Sequence, residues 1–211
     1  MSLARSRLAL LAILIIVSAF APSLAAAAEP STDALLAGMR KTFTLDGKPI
    51  PPEIFGDFGD GDMAYSDDIW VTVNAKAAID SNLYDDEIKT DGGWVGQKKA
   101  ATPSSDAEVT DYTYCGQTEN GLLVVLASFR GGAGVFYTLH IFDLAPAQAF
   151  DYDGKVYDQI DLMNLRNVIL GDRWDGEVTI SKIEIIVVTT RSGPADESGE
   201  RRTMTIEAKR P

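Results

Sequence analysis

The 211 residues carry 31 acidic side chains against 19 basic ones, a formal charge of −12 at neutral pH. A surface this acidic repels phosphate backbones and anionic lipid headgroups, which argues against nucleic acid as a partner. One cysteine, Cys115, and one histidine, His140, exclude an intramolecular disulfide and a Cys/His zinc site built within a single chain.

At the N-terminus, Arg5 and Arg7 precede an apolar run from Leu8 to Val17, and small residues follow, ending in Ala26–Ala27–Ala28 before Glu29–Pro30. A positive start, a short apolar stretch and an A-x-A-type site predict a secretory signal peptide over residues 1–28, and hence a periplasmic or extracellular protein. Residues 29–211 are then expected to form one mainly β domain. No later apolar run approaches the ~20 residues needed to span a bilayer. No cysteine stands at the cleavage site to carry a lipid, and Cys115 reads as a buried free thiol.

Ser31 to Phe43 is the one persuasive helix. Ser31, Thr32 or Asp33 can cap it, and Leu35, Leu36, Met39 and Phe43 fall on one face. Residues 44–68 are rich in Gly, Pro and Asp, and Pro49, Pro51 and Pro52 predict a loop. A strand is expected at Ile69–Val73, a helical turn over residues 75–80, and an irregular excursion over residues 85–105 around a short strand at Trp94–Val95.

From Val109 onward the β signal dominates. Val109–Cys115 and Leu122–Phe129 read as strands joined at Glu119–Asn120–Gly121. Gly131–Gly132–Ala133–Gly134 reads as a glycine turn, because it lacks the phosphate-loop pattern and feeds a strand instead of a helix. In Val135–Phe142 both faces are largely apolar, which predicts a central strand covered on both sides. Residues 156–170 are ambiguous, with a strand near Asn167–Leu170 favoured over a long helix. Residues 177–190 form the clearest strand region, residues 191–201 a hairpin tip, and Arg202–Ala208 a last strand.

Two segments carry candidate chemistry. Between Lys48 and Lys76 stand six acidic residues and no basic one. Within that stretch Asp57, Asp60 and Asp62 sit among glycines, where carboxylates can curl around Ca²⁺. The spacing departs from the twelve-residue Ca²⁺ loop, and the competing reading is a turn in which Asp side chains bond nearby backbone N–H groups. Ca²⁺ binding would appear in calorimetry of chelator-treated protein. The second segment is Leu170–Gly171–Asp172–Arg173–Trp174. Arg173, with Asp172, is either a clamp for an anionic ligand or a turn whose charges fix neighbouring strands. His140, in an apolar strand, reads as a packed core residue, and no Gly-x-Ser-x-Gly elbow accompanies it.

Three segments in order resemble a group of exported bacterial proteins and lipoproteins of unknown function. They are the Asp/Gly stretch Gly56–Asp62 running into Asp68–Val71, the turn Gly131–Gly134 entering Val135–Phe136–Tyr137, and Leu170–Gly171–Asp172–Arg173 leading into the β-rich end. Ala133 stands where serine is usual in that group. The resemblance implies an exported small β domain and no particular activity. The fold expected is mainly β, an antiparallel sandwich-like or curved sheet with one N-terminal helix. The function expected is a non-catalytic binding or envelope-associated module with a protein or small-molecule partner. The alternatives are a secreted hydrolase using paired carboxylates and an adhesion domain strengthened by Ca²⁺.

Overall fold

A helix needs its first N–H groups satisfied, and Ser31 does this for α1 (Thr32–Thr42): its hydroxyl accepts the Ala34 N–H at 3.3 Å. Asp33 in the first turn and Arg40 and Lys41 in the last complement the helix dipole. The helix ends at Phe43, whose φ of 54° is left-handed and whose N–H bonds the Met39 carbonyl at 2.9 Å. That conformation costs a bulky residue about 1–2 kcal/mol. Complete burial offsets it: the Phe43 ring lies 5.3, 5.8 and 6.1 Å from those of Tyr112, Tyr114 and Phe142. The computed structural model describes residues 30–58, 71–81, 87–101, 107–189 and 202–210. The expected signal peptide over residues 1–28 and the expected hairpin tip over residues 191–201 lie outside them.

Two stretches expected to be irregular hold structure. The first contains a small hairpin, β1 (Thr44–Leu45) and β2 (Lys48–Pro49), and a single turn of helix, α2 (Ile54–Asp57). Asp46 and Gly47 both take positive φ, 51° and 74°, the pattern of a two-residue type I′ turn. The prolines argue against a long element but not against a two-residue strand. The second stretch holds β4 (Lys89–Asp91) and β5 (Trp94–Lys99) around Gly92 and Gly93, with φ of 55° and 85°. Between these stretches come β3 (Val71–Asn74) and α3 (Ala75–Ser81), whose first N–H groups bond the Asn74 side chain.

The long strands follow: β6 (Glu108–Gln117), β7 (Leu123–Gly131), β8 (Gly134–Phe150) and β9 (Val156–Asp172). The ambiguous 156–170 segment is thus one strand throughout, and its burial alternates with period two from Ile160 to Leu165. The region 177–190 is a hairpin of β10 (Gly176–Ser181) and β11 (Glu184–Thr189), turning at Lys182 with φ 56°. The last strand is β12 (Arg202–Glu207).

All pairings are antiparallel. Seven strands form one sheet in the order β3-β9-β8-β7-β6-β5-β4, and β10-β11-β12 form a second. The protein is therefore mainly β, with an N-terminal helix. Strand β7 shows how the layers are built. Leu123, Val125 and Ala127 face a core shared with Leu36 and Met39 of α1, Phe43, Ile54 and Phe55. Val124 and Leu126 face a second core shared with Ile185, Val187 and Ile206 of the small sheet. A strand buried on both faces reads as an unbroken apolar run. Arg210 fastens the chain after β12: its guanidinium donates to both oxygens of Asp143, at 2.6 and 3.0 Å, and to the Asn120 carbonyl at 2.6 Å. Among the described residues no helix is long and apolar enough to cross a membrane.

Candidate functional site

Cross-strand partners in an antiparallel sheet share a face, so register alone assembles neighbours from distant parts of the chain. One row runs Lys89, Gly96, Asp111, Ser128, Tyr137 across β4 to β8. The next row outward runs Lys98, Val109, Arg130, Val135. The row inward runs Asp91, Trp94, Thr113, Leu126, Leu139 and passes into the core beneath the small sheet. The small sheet covers only the inner part of this face. Among the described residues the outer part is an open groove of 1010 Å³, lined by Glu87, Gln97 and residues of these rows.

The groove floor is built around a carboxylate. Asp111 is only 9% exposed, and it pairs with the Arg130 guanidinium, which is itself half-exposed. Gly96 makes room for it: a Cβ at that position would overlap Asp111 Oδ1. Ser128 lies beside it, also buried. The inner wall is aromatic. The Trp94 and Tyr137 rings meet edge to face with centroids 6.5 Å apart, and Tyr137 lies 5.9 Å from Trp174. Trp174 is held by its indole N–H, which donates to Thr189 of β11 at 3.1 Å. In a flat sheet β5 and β8 would be about 14 Å apart. The two rings lean towards each other across that interval and close the inner side of the groove.

Two of the three segments singled out in the sequence meet at the rim of this groove. The turn between β7 and β8 is tight, with Gly131 paired to Gly134 and Gly132 at φ 60°. Asp172 accepts the Val135 N–H at 2.9 Å, and Arg173 donates to the Ala133 carbonyl at 2.6 Å. The Arg173 N–H bonds the Val135 carbonyl at 2.6 Å, and Asp172 and Arg173 pair with each other at 2.7 Å. Arg173 takes a φ of 49° to do this. The arrangement is a clasp across the glycine turn, and the Arg173 donors that it uses point at protein atoms.

The third segment is only partly described. Asp57 closes α2, while its side chain, Asp60 and Asp62 lie outside the described residues. The end of α2 is tied to β9, because Asn167 donates to the Phe58 carbonyl at 2.7 Å. Among the described residues no three or more His, Cys, Asp or Glu side chains group as metal ligands would.

His140 lies on the opposite face of the sheet from the groove. It is 2% exposed, its ring lies parallel to that of Phe142 at 5.6 Å, and the Phe55 ring stands 5.1 Å away. Its Nδ1 has no hydrogen-bond partner among the described residues. Burial pushes its pKa from 6.5 down to about 3, against a smaller upward effect from a hydrogen bond with Asn167. The ring is therefore neutral and screened from solvent. Cys115 is a free thiol packed beside the second core, and burial raises it to about 11.

The groove itself escapes a reading of the sequence, since its residues come from five strands whose pairing no local motif announces. The available signal was alternation: Glu87, Lys89 and Asp91, then Trp94, Gly96 and Lys98, put charged and aromatic side chains on one face of a hairpin. No protein-family model matches the chain, and no curated protein or solved structure matches it either.

Proposed function

We propose that this is an exported β domain acting as a non-catalytic binding module, with the groove over Asp111 as its ligand site. The observation that carries the reading is a buried carboxylate held by a half-exposed guanidinium, under an aromatic wall, on a part of the sheet face that the described residues leave open. Such sites pair a few fixed polar groups with apolar walls. The polar groups here are fixed before any ligand arrives, which lowers the ordering cost of binding. The lone histidine lies on the other face with a neutral ring, so it supplies no general base to the groove. The Asp111 carboxylate is committed to Arg130. The leader-like residues 1–28 support export.

The test has two arms. N-terminal sequencing of the protein from the host's periplasm or medium should begin at Glu29; an intact Met1 on cytosolic material overturns export. Soluble polymer fractions from the cell envelope, titrated against labelled protein, should perturb the amide signals of Trp94, Ser128 and Tyr137 without altering the polymer. Release of new chain ends from the polymer would overturn the non-catalytic reading. Perturbation confined to other faces would overturn the site.

A further inference from the structure

Resting on that reading, we propose that the groove takes a neutral glycan: an uncharged, polyhydroxylated chain instead of a charged polymer, a peptide or a lipid. The charges around it argue first. In a chain of net charge −12, the described lining residues carry three acidic groups, Glu87, Asp91 and Asp111, and three basic ones, Lys89, Lys98 and Arg130. Among the described lining residues, opposite charges therefore balance. A polyanion would meet no surplus of cations there, and a polycation no surplus of carboxylates. The charge of Arg130 is already compensated by Asp111, so what the pair presents to a ligand is planar donors and acceptors, suited to hydroxyl groups.

The backbone argues second. The floor is centred on β6 and β7, which have a neighbour on both sides, and on Trp94–Gly96 of β5, paired with both β4 and β6, so the N–H and C=O groups of that floor are spent in the sheet. An extended peptide cannot add a strand over that floor, which removes the main source of affinity for that mode there. A lipid chain fares worse, because covering six charged groups with hydrocarbon would desolvate them without return. A sugar ring has what the lining asks for: an apolar C–H face to lie on Trp94 or Tyr137, and equatorial hydroxyls to bridge the carboxylate and guanidinium. The volume of 1010 Å³ sits at the upper end of the 300–1,000 Å³ typical of small-molecule sites, and the open form suits a segment of a longer chain.

The experiment is titration of the secreted protein with three sets of oligosaccharide hexamers: neutral (maltohexaose, cellohexaose, laminarihexaose), anionic (hexagalacturonate) and cationic (chitosan hexamer). Indole and amide signals of the groove are followed by NMR. At least one neutral hexamer should bind with a Kd at or below about 1 mM and shift the Trp94 indole signal. Trp94→Ala and Asp111→Asn should each weaken it about tenfold or more. Tyr152→Ala, at the exposed tip between β8 and β9, should leave it unchanged, and circular dichroism confirms that each variant is folded. Where Asp111→Asn fails to fold, Lys98→Ala and Tyr137→Ala take its place as readouts. Binding of a charged hexamer in preference to every neutral one overturns the glycan class and leaves the binding module standing. Silence of the groove towards all five sugars overturns the glycan class as well. Silence towards the envelope fractions besides removes the groove from the proposed function.

Discussion

Arg173 shows how much one side chain can organise when its backbone is forced to serve it. Its left-handed φ of 49° costs roughly 1 kcal/mol, and it is offset by a main-chain bond to Val135 and side-chain bonds to Ala133 and Asp172. Arg173→Ala removes the side-chain bonds and keeps the strain. It should lower the melting temperature by about 2–4 °C, the shift expected for about 1 kcal/mol in a chain of this size. Arg173→Gly removes the same bonds but relieves the strain, so its melting temperature should lie at or above that of the alanine variant; differential scanning calorimetry of the pair checks the order. At Gly96 the argument is steric. Gly96→Ala drives a methyl group into Asp111 Oδ1. It should cost about 1–3 kcal/mol in chemical denaturation. Adding Asp111→Ala should cost less than the sum of the two single changes, because the second change removes the overlap.

Elements that announce themselves by a local period were legible, and those that depend on distant pairing were not. The helix α1 could be read from Ser31 and four apolar residues at helical spacing, and the first half of β8, Val135–Phe142, from two apolar faces, whereas its continuation to Phe150 was not. The 156–170 strand was obscured because Asp161, Asn164 and Asn167 interrupt its apolar pattern. Asn164 and Asn167 are inward-facing, bonded to each other at 2.7 Å beneath α2, a tertiary arrangement that no window of sequence reports. Of the β4–β5 hairpin only the start of β5, Trp94–Val95, could be read, although Asp91–Gly92–Gly93 is a turn signal, since its strands are short and polar and draw their order from β6. That dependence can be tested. Gly93→Val places a β-branched residue at φ 85°. It should cost about 1–2 kcal/mol and broaden the amide signals of Lys89 to Lys98 more than those of β7. Uniform broadening across both strands would mean that the hairpin is not a separate unit.

The molecule as a whole should be sensitive to acid through its far side. In the folded state His140 stays neutral down to about pH 3, whereas in the unfolded chain it protonates near its ordinary 6.5. The unfolded state therefore binds the extra proton between those values, and stability falls as the pH drops through that window. The slope reaches about 1.4 kcal/mol per pH unit from this residue alone. Above pH 6.5 the contribution is complete and constant. His140→Phe keeps a ring against Phe142 and removes the titration. Denaturation midpoints measured between pH 4 and pH 7 should fall less steeply for this variant than for the parent protein.

Leu126 and Ser128 stand two positions apart on β7, one sealed beneath the small sheet and the other in the groove floor. A single rigid rod thus spans the part of the molecule that keeps it folded and the part offered to a ligand. Occupying one end should slow the opening of the other. Saturation with a groove ligand at a hundred times its Kd should raise the unfolding free energy by about 2.7 kcal/mol. Hydrogen exchange along β7 should then be retarded as far inward as Val124. The reverse also holds: a substitution that loosens Leu126 should weaken capture at a site that it never touches.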